Sequence, residues 1–321
     1  MTERTSVGAE INAIVCTRDR SAYLARCLKA LSLQTLSSKR YEVIIVDNGS
    51  SDDTAGMAAA FCERHANFRY VREDRAGLAI ARNTGIAISS AEIVAFTDDD
   101  AEPEPSWLQR TLARFVEHAD DVGIVGGDVI PVFEAERPGW LTDDLLRPLS
   151  AGLKWSTEAR FLRAGEWLVE VNAAYKKKAL RQIGGFPEHL GRVGELLLSG
   201  EGGVDRLIRR AGYRLFYDPA ILVRHNIPAA RVTRTWFRRR SFWQGVSLNL
   251  LHRYVEETAR KLGLPDAAGH ARVWEEIAVP ISPRAWSDLF DDRSATDFGH
   301  QLASLEQLGY LLESQSVVLG R

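Results

Sequence analysis

Short apolar runs and amphipathic runs alternate along residues 11–125, and this alternation constrains the fold more than any single motif. Residues 11–16 read as a strand, and residues 22–33 as a helix with Leu24, Cys27, Leu28 and Leu31 on one stripe. A second strand follows at 41–46, and Ser50-Ser51-Asp52-Asp53 supplies an N-cap and acidic first turn for a helix to about His65. The pattern continues with a strand at 68–71, a helix at 78–88, a strand at 92–96, a helix from Pro105 to His118 and a strand at 122–125. Such alternation selects an α/β fold: a mostly parallel sheet with helices on both faces. Ligands of such sheets bind beyond the carboxyl ends of strands, where Asp47 and Asp98-Asp99-Asp100 both fall.

The second half is less regular. Residues 131–165 read as long loops, 168–174 as a strand followed by a short helix through Leu180, and 191–203 as a glycine-rich mobile segment. A helix is predicted at 204–211, a strand pair at 214–223 ending at His225, and mostly helix from 232, including 272–312. With 321 residues, the chain divides into a catalytic-type domain at 1–228 and a mostly helical extension at 229–321. A formal charge of −2 and a pI near 6.4 give no general attraction to nucleic acid. Cys16, Cys27 and Cys62 are odd in number and lack metal-ligand spacing, which fits reduced core residues of a cytoplasmic protein. The polar start and the absence of a long apolar run predict neither secretion nor a transmembrane helix.

Three consecutive carboxylates directly after Ile93-Val94-Ala95-Phe96 raise one another's pKa, so they stay in water, stay partly protonated or meet a cation. Extended backbone would aim Asp98 and Asp100 the same way, a geometry suited to Mg2+ or Mn2+. A solvated acidic loop capping the next helix explains the same run. Asp47, followed by the Asn48-Gly49 turn, is either a nucleotide contact or an Asx-turn residue. Thr17-Arg18-Asp19-Arg20 after the first strand lacks the glycines a dinucleotide needs, which excludes nicotinamide and flavin chemistry of that type.

Four segments together resemble the family 2 inverting glycosyltransferases of GT-A fold, over residues 10–226. They are Ile45-Val46-Asp47-Asn48-Gly49-Ser50-Ser51-Asp52-Asp53-Thr54, then Gly77 with Ala81-Arg82-Asn83 and Gly85, then Phe96-Thr97-Asp98-Asp99-Asp100, then Gly184-Gly185-Phe186-Pro187. The resemblance implies a UDP-, GDP- or dTDP-sugar donor, a hydroxyl-bearing acceptor and a Mn2+ or Mg2+ ion. It places Thr17 and Asp47 on the nucleobase, Asp98 on the ribose and Asp100 on the metal, with Asp99 in the donor-binding group but least needed. Arg82 orients the acidic cluster or the donor, or forms a structural ion pair. His225, in Val223-Arg224-His225, is a further metal ligand or a structural residue.

The family's Glu-Asp pair at a helix start is altered here to Gly200-Glu201-Gly202-Gly203-Val204-Asp205. Counting back from Ala211-Gly212-Tyr213 puts Glu201 at the position of the base; counting forward from the preceding leucines puts Gly202 there. Glu201 is assigned as the catalytic base, with Asp205 as fallback, Glu195 as a remoter option, and helix-dipole complementation as the alternative role of Asp205. Gly202 keeps open a non-catalytic nucleotide-sugar-binding or glycan-binding subunit. A sugar nucleotidyltransferase would want a glycine-rich basic loop that residues 17–20 do not supply. Residues 231–253 hold six arginines and no acid, interleaved with Trp236, Phe237, Phe242 and Trp243. Three readings stand for this segment: Arg238-Arg239-Arg240 on a phosphate, peripheral docking on the inner face of a membrane, or a helix packing its aromatics on the catalytic domain.

Overall fold

Strand β1 (Ile11–Thr17) carries Ile11, Ala13, Ile14 and Val15 with no exposed surface, because it is covered on both faces and both edges. The computed structural model describes residues 8–190, 201–265 and 298–318. The chain continues through α1 (Ser21–Ser32), β2 (Tyr41–Asp47), α2 (Thr54–Arg64), β3 (Phe68–Arg72), α3 (Leu78–Ile88) and β4 (Ile93–Asp98). Next come β5 (Ala101–Pro103), α4 (Trp107–Glu117), β6 (Val122–Phe133), β7 (Arg160–Phe161), β8 (Ala173–Lys176) and α5 (Lys177–Ile183). Helix α6 (Glu201–Arg210), β9 (Arg214–Ile227), α7 (Arg234–Leu262) and α8 (Phe298–Ser314) complete the described residues.

One sheet runs in the order β3-β2-β1-β4-β8-β6-β9-β5, with β7 paired to β9. Strands β1 to β4 are mutually parallel, β8 is antiparallel to both β4 and β6, and β6 lies parallel to β9. The period of two along β1 sorts its side chains: Ile11, Ala13 and Val15 join Leu24, Cys27, Leu28 and Leu31 of α1 on one face. Ile14 turns to the other face with Ile44, Val46 and the residues of α3, α5 and α6. Each such Leu, Ile or Val side chain, fully buried, contributes about 1.5–3 kcal/mol, so the apolar pattern outweighs individual helix caps. Gly85 lets α3 seat on this face, since a Cβ there would meet Ile14 Cγ2 at 2.6 Å.

Several predicted boundaries change. Helix α2 has no acid in its first turn; Asp52, not Asp53, accepts the Thr54 N–H, at 3.0 Å. The strand expected at 168–174 is a 3-10 turn at Glu170–Asn172 leading into β8. The Asn172 amide fixes that turn by donating to Asp128 O and Ile221 O at 2.8 and 2.9 Å while its Oδ1 accepts from Trp107 Nε1. Part of the expected 131–165 loop is strand: β6 runs on to Phe133 because β9 accompanies it residue for residue from Asp128↔Leu222 to Phe133↔Ile227. The predicted strand pair at 214–223 is the single strand β9, which bulges after Tyr217 rather than reversing. Arg114 Nε holds Asp218 Oδ2 in that bulge at 2.8 Å.

The helical extension packs on the sheet unit. Leu141, Leu146, Leu149 and Ile227 share a cluster with Phe237 of α7 and Phe298 of α8, and Val255 and Ala259 of α7 join the core under α6. Helices α7 and α8 touch backbone to backbone. A Cβ on Gly245 would lie 1.8 Å from Glu306 O, and one on Gly309 would lie 2.1 Å from Phe242 O. Among the described residues no helix is long and apolar enough to cross a membrane. The segment 191–200 with Glu195, and the part of the predicted 272–312 helix before Phe298, lie outside the described residues.

Candidate active site

Four chain segments meet at the carboxyl ends of β1 and β4. Asp98 ends β4, Asp99 and Asp100 form the turn that follows, and β5 then pairs antiparallel with β9 in the register Ala101↔His225. Asn226 fixes this corner, its backbone N–H and side-chain Nδ2 both donating to Asp100 O at 2.8 and 2.9 Å. The register sets Asp100 Oδ1 3.2 Å from His225 Nε2, with both residues buried. Asp98 remains half-exposed, and Asp98, Asp100 and His225 each offer a ligand atom within 4.8 Å of the others.

The acids are separated by turn geometry, not by the strand alternation expected from sequence. Thr17 Oγ1 donates to Asp99 Oδ2 at 2.8 Å, and Arg20 bridges Asp99 Oδ1 and Asp100 Oδ2 at 2.7 and 2.8 Å. The Arg20 guanidinium also lies 4.6 Å over the Tyr23 ring. Arg231 Nη1 approaches the same Asp100 oxygen at 3.5 Å. Burial pushes Asp99 up to about 7, with Asp100 and Asp98 adding to it and Arg20 and Thr17 opposing. Burial acts on Asp100 in the same sense, but His225, Arg20 and Arg231 outweigh it and hold that carboxyl below the ordinary range. Arg82 Nη2 stands 3.8 Å from Asp98 Oδ1, its guanidinium packed over Phe186 and Phe96 at 5.3 and 5.9 Å.

The three aspartates, His225, Arg20 and Arg231 line a cavity of about 610 Å³ whose walls include Thr17, Arg18, Asn48, Trp236 and Arg240. Asp47 supports this wall from behind. It is fully buried, its Oδ1 accepts Ser50 N–H at 2.8 Å and its Oδ2 accepts the Tyr70 hydroxyl at 2.8 Å. Its neighbour Asn48 faces the cavity, fixed by Gly77 N–H donating to its Oδ1 at 2.8 Å. A second cavity of about 270 Å³ shares Pro148, Ser150 and Arg240 with the first and includes Gly202 and Asp205 of α6. Asp205 is buried and accepts Leu168 N–H at 3.2 Å. Glu201 opens α6, and its side chain lies outside the described residues.

Sequence reasoning passed over Arg20, Arg231 and Asn83. The signal for Arg20 was present as a cation in the first loop, read only for the glycines it lacked. Asn83 clamps the turn after α5, donating from Nδ2 to Phe186 O and accepting Phe186 N–H at Oδ1, both at 2.9 Å. Gly185 is required beneath it, with φ of 81° and only 2.8 Å between a Cβ and Asn83 Oδ1.

A glucosyl-dolichyl phosphate glucuronosyltransferase of Haloferax volcanii is 24% identical over 250 residues, covering 75% of this chain and 77% of that protein. A pre-mycofactocin glycosyltransferase of Mycobacterium tuberculosis is 30% identical over 261 residues; the match covers 78% of this chain, which thus spans about half, 49%, of that relative. A mannosyltransferase from Pyrobaculum calidifontis, solved in complex with GDP-Man and Mn2+, shares the fold at a TM-score of 0.56 and 18% identity over 95% of this chain and 88% of that one. The sequence profile of Glycosyl transferase family 2 matches residues 13–184, more than half of the chain. With its GT-A sheet and the acidic corner built on it, the chain belongs to glycosyl transferase family 2 and is a glycosyltransferase.

Proposed function

We propose that the protein is a metal-dependent, inverting transferase that moves a sugar from a UDP-, GDP- or dTDP-sugar to an acceptor hydroxyl. The observation that carries this reading is the convergence of Asp98, Asp100 and His225 in the larger cavity. Asp100 Oδ1 and His225 Nε2 face each other at 3.2 Å with both residues buried, and among the described residues His225 Nδ1 is buried without a hydrogen-bond partner, so this corner has ligand atoms to give to an ion. Two carboxylates and an imidazole suit Mn2+ ahead of Mg2+, which prefers oxygen and retained water. The mannosyltransferase of the same fold was solved with GDP-Man and Mn2+, in agreement. When bound, such an ion offsets the negative charge gathering on the departing nucleoside diphosphate.

The nucleoside lies along the Thr17 and Asn48 wall that Asp47 braces from behind, and Arg82 steadies Asp98. In transfer, the bond from C1 to the diphosphate oxygen breaks and its electron pair leaves with the nucleoside diphosphate. The acceptor oxygen attacks C1 from the opposite face, which inverts that carbon, and its proton passes to a carboxylate. Glu201 is that base. Asp205 is held by the Leu168 amide beneath the second cavity, which suits an anchor for α6 better than a proton acceptor. The second cavity, at the α6 end, is the acceptor side.

Two variants test the reading, with product configuration read by NMR. Asp100→Ala should lose Mn2+ binding by calorimetry and about 10³-fold in transfer, the scale of a lost metal contribution of several kcal/mol. Glu201→Gln should keep Mn2+ binding and lose about 10²–10⁴-fold, the usual worth of a general base. Near-wild-type transfer by both folded variants, or retention at the anomeric carbon, would sink the mechanism. A second reading, a binding subunit without turnover, is favoured by Gly202 beside Glu201 and predicts nucleotide-sugar binding with neither transfer nor donor hydrolysis.

A further inference from the structure

The arginine-rich segment after β9 is sorted by the helix it forms. Trp236 and Arg240 are four residues apart on α7, share a face, and both line the larger cavity. Arg238 points elsewhere: its Nη2 donates to Gln301 Oε1 at 3.2 Å and its guanidinium lies 5.5 Å over Phe298. Arg239 is exposed and lines neither cavity. Of the Arg238-Arg239-Arg240 triplet, only Arg240 is delivered to the site. Arg231, in the turn before α7, enters the same cavity beside Asp100.

Charge in the cavity gives these side chains a purpose. Its walls hold Arg18, Arg20, Arg231 and Arg240 against Asp19, Asp98, Asp99 and Asp100. Asp19 is occupied in its own loop, accepting Ser51 N–H at 2.6 Å and lying 3.6 Å from Arg18, so these two charges offset each other. Arg20 and Arg231 offset Asp99 and Asp100, and Arg240 adds a further guanidinium to the cavity wall, for which a nucleoside diphosphate is the complement. Its negative charge grows as the sugar leaves. Arg240 also lines both cavities, so it stands at the junction between donor and acceptor spaces, where the bond to be broken must lie. Glu306, which pairs with Arg147 at 3.2 Å, is within electrostatic reach of Arg240 and helps to hold it there.

We propose that Arg20, Arg231 and Arg240 form a guanidinium subsite for the donor's diphosphate, with Arg240 on the phosphate that carries the sugar. Arg231 and Arg240 come from beyond the family-matched stretch 13–184, so the helical extension completes the donor site. The inference rests on the transferase reading but makes a separate claim: diphosphate binding persists without metal. Guanidinium forks match phosphate oxygens in pairs, which ties the subsite to geometry as well as charge.

Calorimetric titration of the full chain with inorganic pyrophosphate in EDTA tests it. The wild type should bind, Arg240→Gln should weaken binding about tenfold or more, as loss of a charge-assisted pair does, and Arg239→Gln should change nothing. Arg240→Lys, which keeps the charge, should fall between the wild type and Arg240→Gln, and thermal melts confirm that each variant folds. Mn2+ binding measured without nucleotide should be the same in Arg240→Gln and wild type. Equal affinities in Arg240→Gln and Arg239→Gln, or no wild-type binding without metal, would overturn the subsite. Arg240-dependent pyrophosphate binding in a protein that neither transfers sugar nor hydrolyses donors would uphold the subsite while defeating the transferase reading.

Discussion

The β1–β4 half and the β6–β9 half of the sheet are assembled by different means. In the first, β1–β2 and β2–β3 pair in parallel through single helices of 12 and 11 residues, and α3 carries the chain back across to β4 on the other side of β1. In the second, pairing joins distant segments: Asn226 bonds Asp100 across 126 positions of sequence. The first half builds the Thr17 and Asn48 wall of the larger cavity; the second brings in His225, Arg231 and the helices carrying Asp205 and Arg240. Local structure therefore makes the platform, and long-range pairing makes the chemistry.

That contrast is open to breakage, starting where the effect should be largest. Gly127→Ala would force a Cβ to 2.0 Å from Ile221 O and 2.4 Å from Asp218 O at the β6–β9 bulge. It should destabilise the protein by about 3 kcal/mol in urea unfolding and weaken Mn2+ binding with it, because β9 carries His225. Gly245→Ala, pressing on Glu306 O, should cost about 2 kcal/mol and reduce pyrophosphate affinity through Arg240 while leaving Mn2+ affinity as in the wild type. Asn83→Ala leaves both Phe186 backbone groups without their present partner and should cost about 1.5 kcal/mol. Asp52→Ala, which removes acceptors for Thr54 N–H at the start of α2 and Ser21 N–H at the start of α1, should give the smallest change in Tm of the four and little in Mn2+ affinity. If it disturbed Mn2+ binding as much as Gly127→Ala, the division into platform and chemistry would fail.

The same division explains what could be read from the chain. Leu24, Cys27, Leu28 and Leu31 were identifiable as the buried stripe of α1 because a helix writes its face within a few turns of sequence. Helix α3 coincides with its predicted limits for the same reason. Strand β9 was misread as a pair because Asp218-Pro219 has the local chemistry of a reversal, and what overrides it, β6 alongside and Arg114 beneath, lies far off in sequence. The extension of β6 through Pro131 was hidden likewise. Arg20 shows the limit most plainly: its partners are 79 and 80 positions away, and no spacing rule connects them. Asp47 carried two readings in sequence, and its bonds to Ser50 N–H and the Tyr70 hydroxyl, the second 23 positions away, could not be read from its neighbours.

The register Ala101↔His225 has a consequence for how this corner tolerates change. Asp100 and His225 are set side by side by main-chain pairing, so their spacing does not depend on the contour of the chain between them. Insertions in the intervening loops, such as 134–159, lengthen excursions that return to the same two rungs. Such loops can thus be rebuilt, lengthened or exchanged while the corner formed by Asp100 and His225 keeps its dimensions.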